Sequence, residues 1–159
     1  MSNPPNLIYI SSSVLHQIDQ AIPIDNNIEY GGALLGSEEE TIIDSFILDK
    51  HAGTDHNTYT PSPELYAGIR DAEFKGIIHS HPQGSSRLSN TDESSMEEWL
   101  RQNRHMSYLI AIIITKYDSW SQLQDHELLL SEEKKISCYI FYFYGNGVRS
   151  KTISVQESI

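Results

Sequence analysis

The chain has a single cysteine, Cys138, among its 159 residues. One cysteine cannot form an internal disulfide, so we expect a protein of a reducing compartment, the cytoplasm. No apolar run reaches the ~20 residues that a membrane-spanning helix needs. The longest run, Tyr108 to Ile114, is typical of a buried strand. The N-terminus has no basic region followed by an apolar stretch, so no signal peptide and no membrane partner are predicted.

Basic residues are also scarce. Lysine and arginine number 11 against 22 aspartates and glutamates, which gives a formal net charge of −11. A chain this acidic repels phosphate backbones, so we expect no nucleic-acid partner. Apolar residues make up 38% and charged residues 21% of the chain, as in ordinary globular proteins. This length is that of one compact domain, so we predict a single domain over 1–159, as a monomer or homodimer.

Short apolar, β-branched segments alternate with helical patterns along the chain. The predicted strands are 7–10, 41–48, 76–81, 106–115, 137–144 and 148–155, and the predicted helices are 14–21, 64–73 and 89–103. Gly145-Asn146-Gly147 between the last two strands predicts a hairpin. The polar segments 49–62 and 116–135 have no clear period, and we interpret them as functional loops. The alternation of strands and helices predicts one layered α/β domain.

A glycine-rich strand follows Glu29, with the sequence Tyr30-Gly31-Gly32-Ala33-Leu34-Leu35-Gly36. Glycine weakens a strand and usually marks the close approach of a ligand or of another backbone. Glu29 alone would be interpreted as a solvated residue at the end of a strand. Its position before these glycines favours a functional role.

The segment from His79 to Asp92 carries the most informative pattern. His79 and His81 are two residues apart in a predicted strand, so both side chains point to the same face. Two imidazoles on one face can chelate a metal, and Asp92 supplies a third ligand if the intervening loop folds back. Three protein ligands with an open position are typical of a catalytic zinc site, where the pKa of the bound water falls to about 7. Ligand sets of nitrogen and oxygen also permit iron, cobalt or manganese.

Two further side chains are candidates for catalysis. Glu29 would act as general base, taking a proton from water and passing it to the leaving amine. Ser89 would donate its hydroxyl hydrogen to the developing oxyanion, a role typically worth about 3 kcal/mol. The spacing of Ser89 and Asp92 also predicts a capping box at the start of a helix, and the two roles are compatible. Ser80 points to the opposite face from the histidines, and we interpret it as a packing or hydrogen-bonding residue.

Taken together, these elements resemble the JAMM (MPN+) metalloprotease motif. That motif has a glutamate before a glycine-rich strand, then His-x-His-Pro, and then Ser-x-x-Asp with seven residues between the second histidine and the serine. Its counterparts here are Glu29, His79-Ser80-His81-Pro82, Ser89 and Asp92. The resemblance implies a cytidine-deaminase-like α/β/α fold, in which a central mixed, curved sheet lies between helical layers. It also implies Zn²⁺ as cofactor, held by His79, His81 and Asp92.

The same resemblance implies an activity. Members of this family are typically isopeptidases or peptidases that cut after the C-terminal glycine of a ubiquitin-like protein, whose tail is received by the two loops, often as an added strand. The short chain is similar to stand-alone prokaryotic members, some of which occur in antiphage defence operons. A peptidase that processes a sulfur-carrier protein, a non-catalytic scaffold of the same fold, and a RadC-type domain remain alternatives.

Overall fold

The structure is a computed structural model that describes residues 3–24, 28–37, 41–50, 61–66, 73–82 and 84–159. Three helices and ten strands lie within these ranges. The helices are α1 (Ser12–Ala21), α2 (Pro63–Tyr66) and α3 (Asn90–Gln102). The strands are β1 (Leu7–Ser11), β2 (Gly31–Leu35), β3 (Ile42–Ile43), β4 (Ser45–Leu48), β5 (Phe74–Ser80), β6 (Tyr108–Lys116), β7 (Glu127–Leu129), β8 (Lys134–Tyr144), β9 (Gly147–Thr152) and β10 (Ser154–Ser158).

The larger of two sheets has seven strands in the order β4-β2-β5-β6-β8-β7, with β9 also paired to β8. Strands β5 and β6 are parallel, while the other pairs in this sheet are antiparallel, so the sheet is mixed. The long β8 pairs with β7 near its start and with β9 near its end. This order places β5, which carries His79, between the glycine-rich β2 and the buried β6.

A second, three-stranded sheet has the order β10-β1-β3, and both of its pairs are parallel. Helix α1 follows β1 directly, with Ser11 as its N-cap accepting a hydrogen bond from the backbone N–H of Val14. Ser11 therefore ends the strand and begins the helix, because its hydroxyl satisfies one of the free N–H groups of the first turn.

The core is divided between the two faces of the larger sheet. On one face, Ile78 and Ile112 pack in a cluster with Ile18 of α1 and with residues of the smaller sheet. On the other face, Ile77 packs in a cluster with Leu100 of α3. Successive strand side chains alternate faces, so neighbouring isoleucines of β5 serve both clusters. These layers confirm the predicted α/β class with a mixed sheet, and the smaller sheet is an addition to the expected α/β/α arrangement.

Two predicted strands are each divided between the sheets. Segment 41–48 breaks at Asp44, because Ile42–Ile43 pairs with β1 while Ser45–Leu48 pairs with β2. Segment 148–155 breaks at Ile153, where the chain leaves β8 and joins β1 as β10. The predictions of one continuous strand in each place were therefore wrong.

The hairpin predicted at 145–147 is confirmed. Gly145 adopts a φ of 60°, which favours glycine at this turn. The predicted loop 116–135 contains the short strand β7 and the first two residues of β8. Residues 51–60 of the first predicted loop and 67–72 of the predicted second helix lie outside the described ranges.

The glycine-rich strand is packed tightly against another backbone. A Cβ atom on Gly32 would lie 2.2 Å from the carbonyl oxygen of Ile47 in β4. Any larger residue would therefore push β4 away from β2. The sequence left open whether these glycines allow the close approach of a ligand or of another backbone. At Gly32 it is another backbone that approaches closely.

No helix among the described residues is long and apolar enough to cross a membrane.

Candidate metal centre

His79 and His81 lie at the C-terminal end of β5. His79 is a strand residue, paired with Gly31 of β2 on one side and Ile113 of β6 on the other. His81 is the first residue after the strand, and its backbone N–H donates to the carbonyl of Ile114. The two imidazoles converge, with their Nε2 atoms 3.0 Å apart.

Asp92 reaches this pair from the first turn of α3. Its Oδ2 lies 3.3 Å from Nε2 of His79 and 3.3 Å from Nε2 of His81. The same carboxylate accepts the backbone N–H of Ser89 at 3.0 Å, while the Ser89 hydroxyl accepts the N–H of Asp92 at 3.0 Å. Ser89 and Asp92 thus form the predicted capping box, and this box fixes the carboxylate towards the histidines.

Glu29 approaches from the other side, just before β2. Its Oε1 lies 4.0 Å from Nε2 of His81. The neighbouring Tyr30 is bonded to Ser80 of β5: the Tyr30 N–H donates to the Ser80 hydroxyl at 2.9 Å, and the Ser80 N–H donates to the Tyr30 carbonyl at 2.8 Å. Ser80 is fully buried. It therefore holds the segment that carries Glu29 beside the strand that carries the histidines.

The resulting cluster could hold a metal ion. Donor atoms of Glu29, His79 and His81 all lie within 4.8 Å of one another, and Asp92 adds a second carboxylate. Ligand atoms around a tetrahedral zinc with bonds of about 2.0–2.1 Å are about 3.3 Å apart. The distances of 3.0, 3.3 and 3.3 Å among the His79, His81 and Asp92 atoms are close to that spacing.

The ionisation of these groups also suits a metal. Burial lowers the pKa of His79 more than the nearby Asp92 raises it, which favours the neutral imidazole. Burial raises the pKa of Asp92, but hydrogen bonds from both imidazoles outweigh it and hold that pKa well below its usual range. Neutral imidazole and ionised carboxylate are the forms that bind metals.

His81 has a further hydrogen bond that orients its ring. Its Nδ1 donates to the carbonyl of Ser85 at 3.0 Å, so the neutral ring directs the lone pair of Nε2 towards His79 and Asp92, whereas the charged ring donates its Nε2–H to Asp92. Burial lowers the pKa of His81, but the hydrogen bonds to Asp92 and to the Ser85 carbonyl outweigh burial, so that the pKa lies above its usual value. At a pH below the pKa of His81, zinc would therefore have to displace a proton from Nε2 in order to bind there.

The structure brings Glu29, His79, His81 and Asp92 together at the distances given above, and Ser89 adjoins them through its two hydrogen bonds with Asp92. Ser89 is exposed, and its hydroxyl keeps its own hydrogen because the oxygen acts as acceptor towards Asp92. Ser80 forms the hydrogen bonds expected of it. The contribution of the Ser85 carbonyl was missed, because a backbone acceptor has no signature in the sequence.

Comparison with known proteins identifies the family of the chain. The family model described as prokaryotic homologs of the JAB domain matches residues 11–123. A protein from Desulfitobacterium hafniense, with a structure determined in solution, is 16% identical over 96% of this chain and 94% of its own, with a TM-score of 0.59. A JAB1/MPN domain protein from Archaeoglobus fulgidus is 21% identical over 96% of this chain and 100% of its own, with a TM-score of 0.48. No curated protein sequence matches the chain.

Fold and site together define a mixed-sheet α/β domain with a candidate metal centre at the end of its central strands. The matched segment covers more than half of the chain. The chain belongs to the family of prokaryotic homologs of the JAB domain.

Proposed function

We propose that this chain is a zinc-dependent peptidase or isopeptidase, with His79, His81 and Asp92 as metal ligands and Glu29 as general base. The observation that carries the proposal is the convergence of two Nε2 atoms and one carboxylate oxygen within 3.0–3.3 Å, with a second carboxylate 4.0 Å from His81. A catalytic zinc site needs three such protein ligands and a nearby base that is free to take a proton.

The distances of Asp92 to the two imidazoles and its capping hydrogen bond favour Asp92 over Glu29 as the third zinc ligand. Asp92 is within 3.3 Å of both imidazole nitrogens, whereas Glu29 is 4.0 Å from His81. Asp92 is also fixed by its capping hydrogen bond to Ser89. A general base must remain outside the metal's ligand shell yet within reach of a water molecule, and Glu29 has the position that this role requires.

In the proposed reaction, Glu29 would transfer the proton and Ser89 would stabilise the developing negative charge. When bound, zinc would supply Lewis acidity that polarises the scissile carbonyl and acidifies water. The Glu29 carboxylate would accept a proton from the attacking water at Oε1 and transfer it to the leaving amine nitrogen. Ser89 would donate its hydroxyl hydrogen to the carbonyl oxygen as negative charge develops there.

We further propose that the substrate is the C-terminal tail of a ubiquitin-like protein or its conjugate. The family contains metalloproteases, and two features of the surface support an extended substrate. Within the described residues β4 pairs only with β2, and Ile47 on this edge strand is 39% exposed, which suits addition of a peptide strand. A polar groove of about 390 Å³ lies beside the metal centre between Pro82, Ser86 and Lys116. It could receive the segment on the other side of the cut.

The direct test is cleavage of a ubiquitin-like protein fused through its terminal glycine to a reporter, followed by mass spectrometry of the products. We expect the zinc-loaded wild type to cut after the glycine. Glu29→Gln removes the proton acceptor while keeping the shape of the side chain, so we expect turnover to fall by about 10²–10⁴-fold with zinc still bound. His79→Ala should lose both zinc and activity.

His16→Ala is the matched control, because His16 is an exposed residue of α1 that is not part of the metal centre. It should cleave like the wild type. Full activity of Glu29→Gln would refute the role of Glu29, and a wild-type chain that neither binds zinc nor cleaves would favour a binding module.

A further inference from the structure

Tyr139 of β8 lies on the face of the sheet that α3 covers. Its hydroxyl donates a hydrogen bond to the carbonyl oxygen of Ser86 at 2.6 Å. An O–H···O distance of this size is at the short end of the usual range, so the contact is well formed. The ring is further placed by an edge contact with His126, with centroids 5.8 Å apart.

Ser86 directly follows the residue that orients His81. The carbonyl of Ser85 accepts the Nδ1–H of His81 at 3.0 Å. A histidine ligand whose second nitrogen donates to a carbonyl is fixed in one tautomer and one ring orientation, and such partners affect metal affinity by 10–100-fold. The position of the Ser85 carbonyl is therefore part of the metal centre.

The segment that presents this carbonyl has little regular structure of its own. Residues 84–88 connect the end of β5 to the cap of α3, and none of them lies in a helix or strand. Their internal contacts are local: Gly84 N–H donates to the His81 carbonyl at 3.3 Å, and Arg87 N–H donates to the Ser85 hydroxyl at 3.2 Å. The bond from Tyr139 to Ser86 joins this segment to the central sheet.

We propose that Tyr139 is a positioning residue for the metal centre. Its hydroxyl holds Ser86, and through it the adjacent Ser85 carbonyl, at the place where that carbonyl keeps the proton of His81 on Nδ1 and the lone pair of Nε2 towards the metal. This inference rests on the proposed metal centre, because it concerns how one of the ligands of that centre is oriented.

Tyr139→Phe tests the inference, since it removes only the hydroxyl. The matched control is Tyr142→Phe on the same strand, where the ring lies on the opposite face with Lys151 5.5 Å from its centroid. We expect Tyr139→Phe to weaken zinc binding about tenfold in a chelator competition, by the range known for such outer partners. Tyr142→Phe should bind zinc within twofold of the wild type.

A spectroscopic measurement separates positioning from general stabilisation. In zinc-free protein labelled with ¹⁵N at histidine, at alkaline pH, the His81 ring should carry its proton on Nδ1 in the wild type and in Tyr142→Phe. His81→Ala identifies its signals. In Tyr139→Phe the signals should shift towards a mixture of tautomers, whereas loss of stability alone would leave the tautomer of the folded state unchanged.

The two measurements together decide the inference. Equal zinc affinity and an unchanged tautomer in wild type and Tyr139→Phe would overturn the inference while leaving the metal centre intact. Failure of the wild type itself to bind zinc would overturn the metal centre, and the inference with it.

Discussion

At the scale of single residues, the candidate centre assigns two carboxylates to different tasks. Asp92 and Glu29 face the same pair of imidazoles, at 3.3 Å and 4.0 Å, and their supports differ. Asp92 is held by a hydrogen bond to its own carboxylate, whereas the main chain next to Glu29 is held by Ser80. The Asp92 carboxylate is thus restrained directly, whereas Glu29 is positioned through the adjacent backbone.

This difference yields a prediction for Ser80→Ala. The substitution leaves the Tyr30 N–H without its acceptor in a partly buried environment, which costs about 1 kcal/mol of unfolding free energy. Because Tyr30 adjoins Glu29, we also expect kcat to fall by about tenfold or more, with zinc affinity close to that of the wild type. Chemical denaturation, zinc titration and steady-state kinetics on one preparation measure the three quantities.

Ser137→Ala is the control for this variant. Ser137 is another fully buried serine of the same sheet, and its hydroxyl donates to Glu127 at 2.9 Å. The Ser137→Ala variant should lose a similar amount of unfolding free energy while its kcat stays that of the wild type. If both variants lose activity in proportion to stability, Ser80 has no positioning role.

At the scale of elements, the N-terminus of α3 has a structural and a chemical role at once. The capping box of Ser89 and Asp92 begins the helix, and the same Asp92 oxygen faces both histidines. The sequence pattern predicted both roles because the residues lie only three positions apart. Helix formation therefore fixes the carboxylate at the N-terminus of α3, and the packing of α3 on the sheet places it beside the end of β5.

The shared role predicts the effect of Ser89→Ala. Loss of the cap should lower the unfolding free energy by about 0.5–2 kcal/mol. It should also weaken zinc binding, because the first turn no longer fixes Asp92, and lower kcat, because the hydroxyl donor is lost. Calorimetric unfolding and zinc competition measure the first two effects.

Ser11→Ala provides the comparison, since Ser11 caps α1 through the N–H of Val14 and lies in the other sheet. It should lose similar stability and keep zinc affinity. Equal zinc affinity in both variants would mean that the cap does not orient Asp92.

At the scale of the whole molecule, sequence reasoning was most accurate where the determinants are local. His79, His81, Ser89 and Asp92 lie within one strand–loop–helix segment, and the spacing alone indicated how they could converge. Glu29 is 50 residues away from His79 in the chain, and the pairing of Gly31 with His79 brings it close. That pairing could be expected only through resemblance to a family.

The predictions that failed depended on partners distant in the chain. The breaks at Asp44 and Ile153 occur where the chain passes from one sheet to the other, and the local residues are equally suited to either sheet. The support of the Ser85 carbonyl by Tyr139 of β8 is a contact of the same kind. Tertiary pairing decides such features, so a pattern read along the chain does not contain them.

The proposed centre has His79, His81 and Asp92 bound to zinc, with Glu29 outside the ligand shell as the proton acceptor. An anomalous difference map at the zinc absorption edge, from crystals of the wild-type chain grown with zinc, is the decisive measurement. We expect one peak at about 2.0–2.2 Å from Nε2 of His79, Nε2 of His81 and a carboxylate oxygen of Asp92, with Glu29 beyond bonding distance. A peak bonded to Glu29 in place of Asp92, or no peak between the two histidines, would contradict the claim.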